Sequence, residues 1–410
     1  MRTDLSFSDF FKEAVGSPPF PFQQRFAEEL PALVHVPTGL GKTAMAVLGW
    51  LWRRHGAGED FRRQTPRRLV YCLPMRVLVE QTRDHAIRWL HNLGCLGGRV
   101  TFDPPLGVGR LATPKQRVAT YAPSADEPDK VAVYVLMGGE DEDDWYVHPE
   151  REAIIIGTQD MLLSRALNRG YAASRSRWPM QFGLLHTDCL WVFDEIQLMG
   201  SGLATTAQLE AFRRILPHGE ATSARNGHGC RSVWMSATMR KEWLGTVDFK
   251  EHLAALRPLK LTSDDEENET AQRCLAAVKP LRRAAARLGD VKDVEGLAAE
   301  ILEGHGEACE KAGRGTRTIV VVNTVRRACE LFKALREPQG GGKGRKSRDT
   351  EASAGSTDVR TRGGSKLVLL HSRFRPEDRD RKVQEALGDP PPEGTIIVST
   401  QVIEAGVDIS

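Results

Sequence analysis

Short apolar runs rich in β-branched residues alternate with helix-like or long connecting stretches from about residue 30 onward. ALVHV (32–36), RLVYCL (68–73), VAVYVLM (131–137), AIIIG (153–157), CLWVFDE (189–195) and RSVWMSA (231–237) are apolar at consecutive positions. Such strands need cover on both faces, as parallel strands buried under helices have. The alternation predicts an α/β fold with a parallel sheet. It breaks at the acidic run DDEENE (264–269), then resumes with helix-like segments from Ala271 to about Lys311 and with TIVVV (318–322), KLVLL (366–370) and TIIVS (395–399). Two lobes are expected, at about 1–255 and 256–410. The stretch 295–310 places Leu297, Ile301 and Leu302 on one helical face, which should pack on the second lobe. Trp50, Trp52, Trp191 and Trp234 lie in apolar elements and read as core, and Cys72, Cys189 and Cys329 as buried small hydrophobes.

Two segments stand outside this pattern. Residues 338–365 are rich in Gly, Ser and charge and nearly lack apolar residues, so they are expected to be disordered. EDEDD (140–144) reads as a solvated acidic turn, having no regular element to aim its carboxylates at one point. Composition narrows the class. With 410 residues, 40% hydrophobic and 27% charged, the chain has enough material for a large core without disulfide or metal staples. Seven cysteines without a C-x-x-C pair argue against a secreted disulfide scaffold. No apolar run approaches membrane-spanning length, and MRTDLSFSDFF is charged where a signal peptide is apolar, so a cytoplasmic location is expected. A net charge of +3 neither demands nor excludes a nucleic-acid partner.

The strongest local signal is PTGLGKT (37–43), set between ALVHV and the helix-like TAMAVLGWLWRR. A glycine-rich turn from strand to helix lets backbone N–H groups wrap phosphates, with the helix dipole behind them. Thr38, Gly39 and Gly41 would form the cradle, Lys42 would reach the β- and γ-phosphates, and Thr43 would hold Mg²⁺. Val36 occupies the position where the strict phosphate-loop pattern has its first glycine; the flanking strand and helix supply the missing context. The second signal is WVFDEIQ (191–197), an apolar strand ending in two carboxylates. Asp194 would complete the Mg²⁺ shell, and Glu195 would orient and deprotonate an attacking water. The third is WMSATM (234–239), where Ser236 and Thr238 either hydrogen-bond those carboxylates and couple them to the lobe or form a simple turn at a strand end.

PTGLGKT, DEIQ and SAT, in this order, resemble the first lobe of a superfamily 2 helicase. Further segments resemble that family's motifs in order: FPFQQRF (20–26) the glutamine motif, LPMRVLVEQT (73–82) motif Ia, IIIGTQDML (154–162) motif Ib, VVNTVRRA (321–328) motif IV and STQVIEAGVDIS (399–410) motif V. The finer resemblance is to the helicase–nuclease of type I CRISPR interference. It rests on NTV, LLHSRFRPEDR (369–379) and QVIEAGVD (401–408), and on DWYVHPEREAIIIGTQDMLLSRALNRGY (144–171) for subtype I-U, now I-G.

The resemblance implies tandem RecA-like P-loop NTPase lobes, with ATP and Mg²⁺ bound by the first and single-stranded DNA lying across both. It makes Gln23 the residue that reads adenine. Pro74, Arg76, Gly138, Gly139, Thr158 and Gln159 would line the DNA path on the first lobe, and Thr324 and Thr400 on the second. Gly406 and Asp408 would couple strand to nucleotide. Implied partners are an RNA-guided CRISPR surveillance complex and an HD nuclease. None of the eleven histidines is followed by Asp, so the nuclease is expected elsewhere. The arginine-bearing motif VI expected after motif V is also absent, so the second lobe is expected to be incomplete and the chain alone to bind ATP but turn it over weakly. Two other readings stand beside the motor: a non-catalytic ATP- and DNA-binding assembly module, and a superfamily 2 motor of a restriction or DNA-repair system.

Overall fold

The computed structural model describes residues 5–107, 110–114, 116–124, 126–138, 144–215, 229–277, 281, 283–286, 293–336, 359–371 and 373–400. The chain divides into two compact units, Met1–Val278 and Lys279–Ser410. In the first, the apolar runs are strands: β1 (Leu33–His35), β2 (Arg68–Leu73), β5 (Ala132–Leu136), β6 (Ala153–Thr158), β7 (Cys189–Phe193) and β8 (Arg231–Ser236). With β9 (Pro258–Leu259) they form a sheet of order β5-β6-β2-β7-β8-β1-β9, and every pairing in it is parallel. β3 (Arg99–Asp103) and β4 (Arg117–Ala122) make a separate antiparallel pair.

Each face of the sheet has its own core, which is why the strands are apolar at consecutive positions. One face sets Val34, Leu69, Tyr71, Val192 and Met235 against helices Phe7–Val15, Pro21–Glu29, Lys42–His55 and Arg76–Asn92. The other sets Val70, Cys72, Trp191, Phe193 and Trp234 against helices Gln159–Ala166 and Ser201–Ile215. Trp50, Trp52, Trp191 and Trp234 are core residues, as expected, and the indole N–H of each is satisfied, that of Trp52 by the Leu5 carbonyl. Trp50 donates to the Pro66 carbonyl, Trp191 to that of Leu185 and Trp234 to the Thr206 hydroxyl. Cys72 and Cys189 are buried, whereas Cys329 is half-exposed; all seven cysteines are free thiols. Among the described residues no helix is long and apolar enough to cross a membrane.

The acidic run, where the hydrophobic pattern breaks, packs on the first unit, so the division by contacts falls later than the pattern suggests. Asp265 is fully buried. It accepts from the backbone N–H of Phe22 at 2.6 Å and from Arg25 Nη2 at 2.7 Å, and it caps its own turn through the Thr262 N–H at 2.9 Å. One carboxylate thereby ties the segment after β9 to the helix Pro21–Glu29. Replacing Asp265 with alanine leaves buried donors unpaired, and we expect a loss of about 3 kcal/mol in urea unfolding of the first unit.

The second unit has strands β10 (Arg317–Val321), β11 (Lys366–Leu370) and β12 (Thr395–Ser399) in the parallel order β10-β12-β11. Helices Asp293–Ala312 and Val325–Leu335 cover one face, where Leu297, Ile301 and Leu302 pack against the core as their spacing predicts. Helix Pro376–Leu387 covers the other through Ala386 and Val383. The segment expected to be disordered is partly built. Residues 338–358 lie outside the described part, but Arg360 and Thr361 form bridges to Lys366 and Arg336, and Thr361 and Ser365 are buried. The Ser365 N–H and the Thr361 hydroxyl hydrogen-bond each other, giving this short polar run an internal satisfaction that composition does not reveal. Residues 140–143 of the acidic turn also lie outside the described part.

Candidate functional site

β1 runs into a tight loop and then into helix Lys42–His55. Gly39 and Gly41 have φ of +83° and +74°, the left-handed region that a side chain rarely enters. Gly41 is the helix N-cap and supplies no capping side chain, so none competes with a phosphate for the first-turn amides. Thr38 and Gly39 are exposed, whereas Leu40 is buried beneath them. Lys42 is nearly buried. Its Nζ donates to the carbonyls of Val36 at 3.2 Å and Pro37 at 3.3 Å and lies 3.9 Å from Glu195 Oε1. The basic group is thus aimed across the loop toward the carboxylates of β7.

Asp194 and Glu195 follow β7 directly and take different environments. Asp194 is buried; Tyr71 donates its phenol to Oδ2 at 2.8 Å and the Glu195 backbone N–H donates to Oδ1 at 2.9 Å. Burial and the neighbouring Glu195 charge push the Asp194 carboxyl up to about 6, against the opposing pull of Lys42. Burial and the Asp194 charge also push the Tyr71 phenol well above its ordinary value, which keeps it a donor. Glu195 adopts φ +50°, a left-handed conformation costing a non-glycine residue about 1–2 kcal/mol, and this turn directs its side chain back toward Lys42. Thr43 lies beside the Tyr71 phenol. A hydroxyl and a carboxylate gathered at one point are the hard oxygen donors that suit Mg²⁺. A Mg²⁺ held there would supply neutralisation of phosphate charge.

Ser236 and Thr238 form the strand-end turn, one of the two arrangements expected of them, and reach the carboxylates only through Gln197. The Ser236 hydroxyl donates to Gln197 Oε1 at 2.8 Å, not to a carboxylate, and Gln197 Nε2 in turn bonds Glu195 Oε2. The Thr238 N–H donates to Ser236 Oγ at 3.0 Å. Lys42, Glu195, Gln197, Ser236 and Thr238 therefore form one continuous polar chain across β1, β7 and β8. Gln197 was not singled out from the sequence, although it stands two positions after Glu195 in DEIQ. Tyr71 was missed too; its signal was a phenol inside an otherwise apolar strand.

Gln23 is buried, and its amide is committed to the loop it adjoins. Oε1 accepts from the Phe20 N–H at 2.9 Å, and Nε2 donates to the Gly41 carbonyl at 3.0 Å. A Cβ on Gly41 would stand 2.9 Å from that Nε2 and would displace the Gln23 amide, while the φ is what calls for glycine.

The other candidates fall along the same carboxyl edge of the sheet. Gly138 follows β5, Thr158 ends β6 with Gln159 opening the next helix, and Pro74 and Arg76 follow β2. Since β5, β6 and β2 are neighbours, these residues form a row beside Asp194, with Arg76 exposed and Thr158 buried. In the second unit Thr324 caps helix Val325–Leu335 by accepting from the Arg327 N–H, and the Thr400 N–H donates to the Leu370 carbonyl, so both sit at the carboxyl edge of that sheet. His371 follows β11 there; its Nδ1 accepts from the Arg373 N–H and its ring stacks on Phe374 at 4.2 Å between centroids. Gly139, Gly406 and Asp408 lie outside the described residues.

A parallel sheet with a phosphate loop, a strand-end carboxylate pair and a second parallel α/β unit defines the tandem RecA-like P-loop fold. A DEAD/DEAH box helicase family model matches residues 20–104. A model described as the C-terminal part of the CRISPR-associated nuclease/helicase Cas3 matches residues 314–410. Both are helicase families, one in each unit. Among solved structures, the DUF1998 helicase MrfA bound to DNA and AMPPNP is similar with 15% identity and a TM-score of 0.53, over 100% of this chain and 46% of that one. MrfA bound to DNA alone gives 15% identity and a TM-score of 0.51 over the same shares. Saccharomyces cerevisiae Dbp5 bound to RNA and ADP BeF3 gives 15% identity and a TM-score of 0.47, over 98% of this chain and 78% of that one. The chain thus spans under half the length of MrfA. No curated protein sequence matches it.

Proposed function

We propose that the chain is the ATP-driven motor of a type I CRISPR interference system. It moves on single-stranded DNA so that an HD nuclease, working with an RNA-guided surveillance complex, can degrade the target. The observation that carries this reading is the polar chain from Lys42 through Glu195 and Gln197 to Ser236 and Thr238, because it links the catalytic carboxylate to the body of the lobe. A group that activates water and is tied to a neighbouring strand-end loop can pass the state of the nucleotide to elements that hold DNA. The Cas3-like match over 314–410 favours the CRISPR assignment over a restriction or repair motor.

Within the site, Lys42 and the loop amides would bind the phosphates, and Thr43 and Asp194 would hold Mg²⁺. Glu195 would accept the proton of the attacking water. The row from Gly138 through Thr158 to Arg76 would meet DNA phosphates, giving contacts tolerant of sequence. The test is phosphate release measured with and without a single-stranded oligonucleotide. Stimulation by the oligonucleotide is expected. Hydrolysis indifferent to DNA overturns the motor, and nucleotide and DNA binding with no turnover and no mutual effect on affinity indicates an assembly module instead.

A further inference from the structure

Tyr71 sits in the middle of β2, fully buried, on the sheet face that packs beneath helix Lys42–His55. Its register partners, Ile156 on β6 and Val192 on β7, are aliphatic, so the phenol is a polar group set into an apolar layer. Phenylalanine would fill that layer equally well, and the hydroxyl therefore needs its own explanation. It donates to Asp194 Oδ2 at 2.8 Å, while the other carboxylate oxygen accepts from the Glu195 N–H at 2.9 Å. Both oxygens are thus held, which fixes the plane of the carboxylate. We propose that Tyr71 is a positioning residue that holds the Asp194 carboxylate, beside Thr43, in the orientation needed to bind the Mg²⁺ of a Mg²⁺–nucleotide complex. This rests on the nucleotide-site reading above.

Outer partners that orient a metal-binding group typically change metal affinity 10–100-fold when removed. Tyr71→Phe removes only the hydroxyl. The experiment titrates a fluorescent ADP analogue in EDTA and again in Mg²⁺, for the wild type and the variant. In EDTA the two should bind alike; in Mg²⁺ the cation-dependent gain of affinity should fall by about 10-fold or more in the variant. The same change in the Asp194→Asn background should cost nothing further, because Tyr71 acts through that carboxylate; a purely structural role would add its effect in both backgrounds. Tyr71→Met also fills the layer without a hydroxyl and gives a second reading should the phenylalanine variant fold poorly. An undiminished gain in either variant, or an equal loss in the Asp194→Asn background, overturns the proposal. A wild-type chain that binds the analogue but gains nothing from Mg²⁺ overturns it while leaving the phosphate loop intact. Failure to bind the analogue at all overturns the nucleotide-site reading itself.

Discussion

Lys42→Ala is expected to abolish both tight nucleotide binding and turnover, whereas Glu195→Gln is expected to abolish turnover alone. The two side chains lie 3.9 Å apart but meet different parts of the reaction. Lys42 is a nearly buried cation at the mouth of the loop. Charge placed in such a site acts on phosphate with little screening by water, so its loss should reduce hydrolysis by about 10²–10³-fold and raise the dissociation constant as well. Glu195 is held by Gln197 and turned back by its left-handed backbone. The glutamine variant preserves size and removes the base, and a drop of about 10²–10⁴-fold in phosphate release follows from loss of general-base catalysis. Nucleotide affinity should be kept, because the carboxylate is expected to meet water and not phosphate. Phosphate-release rates and analogue titrations on the two variants separate these roles. A Glu195→Gln variant that hydrolyses ATP at the wild-type rate would remove the carboxylate from the mechanism.

The parts of this fold legible in the sequence were those governed by local rules. Arg68–Leu73 and Thr395–Ser399 coincide with the runs read as strands because strands covered on both faces are apolar at most consecutive positions. Lys42, Asp194 and Glu195 were legible because strand, turn and helix follow one another in the chain. β3 and β4 were not read as strands, since most of their residues are exposed and their pairing depends on each other rather than on burial. The Ser236–Gln197 bond has no signal in the sequence, because it depends on β8 lying between β7 and β1 in space, although β8 comes last of the three in sequence. Asp265 shows the same limit. A carboxylate in an acidic run reads as solvated until the donors 240 residues away on Arg25 and on the Phe22 backbone are brought to it.

Part of the destabilisation of the first unit on acidification is expected to come from Glu152, and Glu152→Gln is expected to remove that component. Glu152 precedes β6 and is buried against the end of helix Lys42–His55. Arg54 Nε donates to it at 3.1 Å and Nη2 donates as well, His55 Nε2 lies 2.5 Å from Oε2, and Arg62 Nη2 lies 3.7 Å from Oε1. Burial works to raise its pKa, but the His55 hydrogen bond and charge, together with Arg54, hold it at about 2 in place of 4.5. Because the folded value is the lower one, the unfolded chain takes up the proton first as pH falls. The stabilisation is therefore complete above about 4.5 and is lost as pH descends toward 2; a shift of this size is worth about 3 kcal/mol. At neutral pH, Glu152→Gln should itself destabilise by about 3–5 kcal/mol, since Arg54 stays buried without its counter-charge. Other carboxylates weaken both proteins in acid, so the informative quantity is the difference between them. Urea unfolding at pH 7 and pH 3 should show the gap between wild type and variant closing as pH falls. A gap that stays constant would mean that Glu152 holds its partners by shape and hydrogen bonding alone, with no contribution from its charge.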